Sequence, residues 1–439
     1  MSKKTFKGGI HPLYSKQLTQ SHPIVELKDP PKVFIPLIQH VGAPCEAVVK
    51  TGDDVKAGTL IGVSEKFISS KIHSSISGKV KGLKKSAHPV LGTYDALIIE
   101  NDGLAKRENF AESNLDIEKL MPDEIVDLVK EAGLVGLGGA AFPTNVKLVP
   151  PKEKSVDTFI LNGAECEPYL TCDDRLMIEH SAGILKGMLL IMKAVNVSKG
   201  IIAIEDNKPE AIKSMSKALN DIRYATYDIR IEILRTKYPQ GGEKQLIAAL
   251  LNREVPPKGL PFDVGCLVGN VQTAYAVYEA VYMSKPLYER VITVTGDAIK
   301  EPSNLRVKIG TPLSYVIDNC GGLSKELAKI IIGGPMMGIS HYNIDVPIIK
   351  GTSGFVLLSK DSVSVKAADY CIRCGKCASV CPVNLVPTAL ARAAELERAD
   401  LLDEFCIADC MECGSCAYEC PSNIPLVQLI RYGKRQLIN

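Results

Sequence analysis

Apolar residues alternate between two rhythms from about residue 115 to residue 285. The runs 156–161, 201–204 and 229–234 are short and continuous, as in buried strands. Between them the spacing is helical. Ile125, Leu128 and Val129 follow Pro122-Asp123-Glu124, a favourable helix start. Acidic groups there complement the helix dipole, and proline lacks an N–H that would be unpaired anyway. Gly133 ends that run, 176–195 reads as one helix, and Pro209 opens another. Such alternation predicts an α/β unit with a largely parallel sheet. Residues 33–80 instead read as short strands and turns, with a strand-turn-strand at 48–58 and a turn at Ser77-Gly78-Lys79-Val80. A smaller unit covers 289 to about 340: strand 291–295, helix 313–319, strand 330–332, then Gly333-Gly334-Pro335-Met336-Met337-Gly338. The two methionines there read as packing residues. The Ala/Leu/Glu-rich stretch 385–405 predicts helices. The pattern divides the chain into blocks 1–112, 113–285, 286–358 and 359–439, a multidomain α/β protein.

Composition narrows the classes. The 439 residues are 46% apolar and 23% charged, ordinary for a globular chain, and the net charge of +2 carries no nucleic-acid footprint. No stretch approaches the ~20 apolar residues that span a bilayer. The most apolar segment, 184–195, is interrupted by Lys186 and Lys193 and reads as a buried helix. Membrane association is therefore expected through a partner. Met1-Ser2-Lys3-Lys4 leads into no apolar signal segment, so the fourteen cysteines are expected in a reducing compartment.

Eight of those cysteines form two copies of one motif, thirty-nine residues apart. They read Cys371-x-x-Cys374-x-x-Cys377-x-x-x-Cys381-Pro382 and Cys410-x-x-Cys413-x-x-Cys416-x-x-x-Cys420-Pro421. Structural zinc sites also use C-x-x-C knuckles, but rarely this run followed by proline. In two-cluster ferredoxins the fourth cysteine of such a run ligates the other cluster. The expected sets are thus Cys371, Cys374, Cys377 and Cys420 for one 4Fe–4S cluster, and Cys410, Cys413, Cys416 and Cys381 for the second. Cys406 falls outside the repeat register. Cys45, Cys166, Cys172, Cys266 and Cys320 are expected mostly as small buried hydrophobes.

Four turns in the α/β block carry the second candidate chemistry. Gly136-Leu137-Gly138-Gly139-Ala140-Ala141-Phe142-Pro143-Thr144 removes Cβ atoms, so backbone N–H groups can approach a phosphate or flat ring. Alone, such a turn is more often only a turn. Asn162-Gly163-Ala164-Glu165-Cys166-Glu167-Pro168 and Tyr238-Pro239-Gln240-Gly241-Gly242-Glu243-Lys244 each follow a predicted strand. Ligands of open α/β sheets gather at those carboxyl ends. Val268-Gly269-Asn270-Val271-Gln272-Thr273 adds small and amide residues before a helix.

Over about residues 120 to 340 the chain resembles the flavoprotein subunit of respiratory complex I, which binds FMN and NADH. Over its whole length, from Gly8-Gly9-Ile10-His11-Pro12 to the second cysteine motif, it is similar to the RnfC family. These are the peripheral subunits of ion-translocating ferredoxin:NAD oxidoreductase complexes. The resemblance implies an N-terminal barrel-sandwich hybrid of the biotinyl/lipoyl type, a Rossmann-like FMN/NADH domain, a β-grasp (SLBB-like) module and a helical two-cluster ferredoxin end. Carrier domains modify a lysine on a hairpin tip, where Lys66 lies, but the surrounding carrier motif is absent and a structural or docking role is expected. Carried over residue by residue, the resemblance implies that Gly138, Gly139, Ala140 and Phe142 line the nicotinamide nucleotide, with Lys147 near a phosphate. Glu167 and Glu243 would lie beside the nicotinamide or the adenosine part, and Gly136, Asn162, Glu165, Tyr238, Gly241, Asn270 and Thr273 would hold FMN. Leu137, Gly242 and Gly269 depart from the complex I pattern.

A hydride carries two electrons and each 4Fe–4S cluster passes one, so a flavin is the converter this combination requires. His11, His40, His73 and His341 read as local hydrogen-bonding residues rather than ligands. The expected protein exchanges hydride with NAD(H) through FMN and single electrons through two clusters. It would sit at the cytoplasmic face of a cell membrane, with the other Rnf subunits as partners and ferredoxin reached through an iron–sulfur partner subunit. A soluble cobalamin-reductase-like enzyme and a non-catalytic docking scaffold are the rival readings.

Overall fold

The computed structural model describes residues 3–110, 116–151, 153–221, 226–363 and 366–437. The expected boundary between 112 and 113 lies outside them.

The α/β unit is built on four parallel strands in the order Asp228–Leu234, Lys199–Glu205, Thr158–Gly163, Cys266–Asn270. Phe159, Ile160 and Leu161 are fully buried, because helices cover both faces of the sheet. The register sets Asn162 opposite Asn270, so two of the four candidate turns leave the sheet side by side. Pro122–Glu131 and Pro209–Asp221 begin at the expected prolines. The expected helix 176–195 is instead two, Cys172–Glu179 and Ser181–Ala194. They break at His180, whose backbone leaves helical geometry (φ −130°) while its ring packs on Tyr275. Apolar periodicity continues across the break, and only the local dihedral shows it.

The N-terminal unit pairs a four-stranded sheet (Lys32–Pro36, Gly92–Asn101, Gly78–His88, Asp54–Val55) with a three-stranded one (Glu46–Ala47, Leu60–Val63, Ile72–His73). Val33, Ile35, Ile61, Ile72, Val80 and Ile99 fill the space between. The turn expected at 77–80 comes earlier, and Gly78 opens an eleven-residue strand in which Val80 pairs with Ile99. Before entering this sandwich, the chain visits its neighbours. Lys4 pairs with Leu234, Ile10 with Tyr238, and Ile24–Glu26 adds an edge strand to the next sheet.

That sheet has six strands in the order Ile24–Glu26, Ser303–Lys308, Glu289–Thr295, Gly354–Ser359, Leu327–Ile332, Ile339–His341. Helix Leu313–Asn319 packs on it through Leu313, Val316 and Ile317. At the C-terminal end, helices Pro387–Glu395 and Ala399–Glu404 separate the two cysteine motifs. The sequence duplication is also a backbone duplication. Arg373 and Glu412 both have φ 57°, Gly375 and Gly414 have φ 75° and 80°, and Asn384 and Asn423 have φ 56° and 50°. Among the described residues no helix is long and apolar enough to cross a membrane.

Candidate functional site: a turn-lined cleft against a thiol-lined cavity

The four turns meet at the carboxyl edge of the parallel sheet, and their side chains tie them together. The Leu137 N–H donates to Thr273 Oγ1 at 2.9 Å, and a Cβ on Gly138 would fall 2.7 Å from the Asn270 carboxamide. Asn270 Oδ1 caps its own helix by accepting from the Gln272 N–H at 2.8 Å, while its Nδ2 donates to Asp173 at 2.6 Å. Asn162 Nδ2 donates to the Gly241 carbonyl at 2.8 Å, and the Gly241 N–H donates to Cys166 Sγ at 3.3 Å. Lys147 pairs with Glu243 across the opening. Asn162, Asn270 and Thr273, expected to hold FMN, direct much of their side-chain polar valence to the neighbouring turns.

Two further residues expected at FMN, Glu165 and Tyr238, also bond elsewhere in the protein. Glu165 is inward-facing: its carboxylate accepts from the Asp173 and Asp174 N–H groups at 2.7 and 3.2 Å and faces Lys16 at 3.8 Å. It caps the helix Cys172–Glu179. Tyr238 is fully buried, and its hydroxyl donates to the carbonyl of Cys413 at 2.7 Å. Glu167 is likewise engaged, accepting from the Met336 N–H at 3.1 Å and the Met337 N–H at 2.8 Å. Burial pushes its carboxyl up to about 7, against the pull of those two donors.

Sequence reasoning missed two residues behind the cleft, Asp173 and Arg290. Asp173 joins Asn270 to Gln272, and burial beside Glu165 pushes its carboxyl up to about 6. The buried Arg290 donates to Gln272 and to the Leu137 carbonyl, both at 3.2 Å, which holds the first turn from below. Each stands beside another charged residue, Asp173 before Asp174 and Arg175 and Arg290 after Glu289, and nothing local marks which charge is buried.

The remaining surface suits a flavin and a nucleotide. Gly138, Gly139 and Ala140 are exposed, and a Cβ built on Gly139 meets no atom within 4 Å. Phe142 is half-buried beside them, and the Gly136 N–H donates to the Phe142 carbonyl at 2.8 Å. In the Tyr238 turn, both ends of the buried Gln240 amide lack a partner among the described residues, leaving donor and acceptor capacity at this edge.

The cysteines are sorted by tertiary packing. Cys381 lines one cavity together with Cys410, Cys413 and Cys416, closed by Leu390, Val427 and Ile430. Burial and the neighbouring thiols push Cys410 up to about 11 and Cys416 up to about 12, so a cationic centre is what would hold these two as thiolates. The Leu385 and Glu412 N–H groups donate to the sulfurs of Cys381 and Cys410, contacts of the kind that tune cluster potentials. Of the other set, Cys371 and Cys374 are exposed, while Cys377 and Cys420 pack with Leu426 and Val427. Cys406 stays outside both groups, its thiol facing the Glu404 carbonyl. Cys45, Cys172, Cys266 and Cys320 are buried as expected; Cys166 is half-buried against Gly241.

The thiol-lined cavity abuts the α/β unit. Lys244 pairs with Asp409, Gln245 Nε2 donates to the Pro382 carbonyl at 3.2 Å, and the Lys258 N–H donates to Asp409 at 2.7 Å. The Gly8-Gly9 pair is wedged into the same seam. The Gly9 N–H donates to the Val380 carbonyl, and a Cβ on Gly8 would sit 2.8 Å from the Cys381 carbonyl. Both glycines have positive φ, which other residues adopt only at a cost.

Comparison with known proteins agrees with this layout. Residues 4–104 match the RnfC barrel sandwich hybrid domain, 129–279 the Nuo51 FMN-binding domain, 291–340 the SLBB domain and 367–424 the 4Fe-4S dicluster domain. The chain is 48% identical to a subunit of the proton-translocating ferredoxin:NAD(+) oxidoreductase complex of Clostridium ljungdahlii, covering 99% of this chain and 94% of that one. It is 46% identical to the counterpart in the Na(+)-translocating complex of Acetobacterium woodii, over 99% and 97% of the two chains. The chain belongs to the RnfC family. An NAD+-reducing [NiFe]-hydrogenase structure shares the fold at 20% identity and a TM-score of 0.52, covering 72% of this chain and 61% of that chain. As an RnfC-family member the chain carries FMN and two 4Fe–4S clusters.

Proposed function

We propose that this chain is the NAD(H)-reactive electron-transfer subunit of an ion-translocating ferredoxin:NAD oxidoreductase complex. The observation that carries the reading is the direct seam between the turn-lined cleft and the cavity of Cys381, Cys410, Cys413 and Cys416, bridged by Tyr238. When bound, FMN takes up a hydride's two electrons and releases them singly, and each cluster carries one. In this reading the backbone of Gly138, Gly139 and Ala140, with Phe142, lines the nicotinamide nucleotide, and the Lys147–Glu243 pair borders it. Gly136, Gly241 and the turns held by Asn162, Asn270 and Thr273 form the flavin bed.

The set Cys381, Cys410, Cys413 and Cys416 holds the cluster nearer the flavin. Cys371, Cys374, Cys377 and Cys420 hold the outer one, where two exposed ligands suit electron exchange with a partner protein. The chain would attach to the membrane subunits of the complex as a peripheral component on the cytoplasmic face; among the described residues no helix is long and apolar enough to cross a bilayer. Anaerobic addition of NADH to the reconstituted protein tests the reading. Flavin bleaching followed by cluster EPR signals is expected; cluster-loaded, flavin-loaded protein that NADH leaves oxidised would overturn it.

A further inference from the structure

The resemblance to complex I assigns Glu167 to the nicotinamide, but the geometry gives its carboxylate other work. Glu167 leaves the strand Thr158–Gly163 on the turn 162–168, and both of its oxygens point into a different domain. Oε2 accepts from Met336 and Oε1 from Met337, two successive N–H groups of the β-grasp turn 333–338. The fit is close: a Cβ on Gly334 would collide with Glu167 Oε2.

The same turn reaches the thiol-lined cavity. A Cβ on Gly414, in the second cysteine motif, would lie 2.8 Å from the Met336 carbonyl, and Arg431 donates to the Met337 carbonyl at 3.4 Å. Tyr238 closes the circuit from the flavin side. Its hydroxyl donates to the Cys413 carbonyl and lies beside the Glu167 carboxylate. Ile10, Tyr238 and Cys413 form one buried apolar cluster, with Cys166, Met336 and Met411 packed around it. The β-grasp turn thus binds the Glu167 carboxylate directly, and the cluster end packs on that turn and on Tyr238.

We propose that Glu167 is a positioning residue: through the β-grasp turn 333–338 and Tyr238 it fixes the separation between the flavin bed and the cluster loop of Cys413. This rests on the electron-transfer reading above. A carboxyl group whose two oxygens each accept a backbone N–H is a directional tie, and Gln in its place keeps volume but loses one acceptor oxygen. Electrons still leave the flavin site one at a time, two per hydride, but across a less well held gap.

The test compares Glu167→Gln and Gly334→Ala with the parent chain. Gly334 belongs to the β-grasp module, and its added methyl presses on the same carboxylate. Hydrogen exchange at the Met336 and Met337 amides, read without cofactors, is expected to quicken by about tenfold in Glu167→Gln. In reconstituted protein, anaerobic stopped-flow separates flavin bleaching by NADH from cluster reduction. Gly334→Ala is expected to bleach its flavin at the parental rate, with cluster reduction slowed roughly tenfold, the scale of a sub-ångström to ångström displacement between reacting groups. Parental amide exchange in Glu167→Gln, or parental cluster reduction in both variants, would overturn the proposal. So would a Glu167→Gln protein in which only flavin bleaching slows, since the carboxylate would then act on the nucleotide. A parent protein whose flavin NADH leaves oxidised would refute the electron-transfer reading instead, and the amide exchange would still judge the tie.

Discussion

The two cysteine motifs are near-copies in sequence and in backbone, yet they occupy opposite situations. The set around Cys413 is walled by apolar side chains and locked to the α/β unit by Tyr238, Gln245 and Lys258. The other set presents Cys371 and Cys374 to solvent. Identical ligand spacing thus yields an inner and an outer site. Ligand chemistry follows from the repeat, whereas the order of the two sites along an electron path follows from what each loop packs against.

The largest expected effects come from breaking one site at a time. Cys381→Ser should cost about half of the bound iron and leave the flavin without its neighbouring acceptor, although Cys381 belongs to the first motif. Cys420→Ser should cost the same amount of iron but spare the inner cluster, which NADH would still reduce. Iron counting with EPR decides between this crossed arrangement and an uncrossed one, in which Cys420→Ser would instead remove the signal shared with Cys410, Cys413 and Cys416.

Gly139→Val separates the nucleotide site from both clusters. The open space around Gly139 lets the variant fold, but the side chain fills the surface where a ring or phosphate would approach the backbone. NADH affinity should fall by more than tenfold, about 1.4 kcal/mol or greater, while both cluster signals persist under dithionite. Normal NADH reduction would place the nucleotide elsewhere.

A smaller change should distinguish inner from outer cluster by stability. Gly8→Ala puts a Cβ against the Cys381 carbonyl in a left-handed backbone, at a cost of ~2 kcal/mol. In air the inner cluster should then lose its EPR signal sooner than in the parent, with the outer cluster decaying at its usual rate. Equal acceleration of both would mean that the N-terminal wedge stabilises the whole cluster end rather than one loop.

The subtlest prediction concerns a junction remote from both clusters. Lys350, wholly buried, donates to Ser70 at 3.2 Å and to the Gly133 carbonyl at 2.7 Å, joining sandwich, α/β unit and β-grasp module. Burial pushes its ammonium down to about 7, and beside it His40 and His73 are held neutral near 4 and 3. Between pH 7 and the ordinary lysine range the unfolded chain binds a proton that the folded chain lacks, so this group makes stability rise with pH across that window. From pH 7 to 9 the gain should be ~2 kcal/mol. Urea midpoints should show it in the parent and not in Lys350→Met, with both cluster signals unchanged. An identical slope in the two proteins would mean that Lys350 keeps an ordinary pKa.

Much of this is legible in the residue order alone. The thirty-nine-residue repeat marks the dicluster segment and its eight candidate ligands, because cluster coordination depends on thiolate spacing along a short loop. The strand runs and proline helix starts place the α/β unit, and Gly-rich turns after strands mark its ligand edge. The break at His180 is not legible, since an apolar stripe runs through it.

Side-chain direction is the part that only tertiary structure decided. Glu165 and Glu167 stand two residues apart in one turn, yet one caps a helix and the other holds the β-grasp domain. Tyr238 is expected at the flavin, and its hydroxyl reaches a cluster loop 175 residues later, which nothing local announces. Gly8-Gly9 is recognisable as a motif, but its reason is the Cys381 carbonyl and the Tyr238 turn, neither near it in sequence. Local pattern records what a residue can do through spacing, backbone freedom and charge. Which partner it meets depends on how separate domains dock, and that is set by burial and hydrogen bonding between segments hundreds of residues apart.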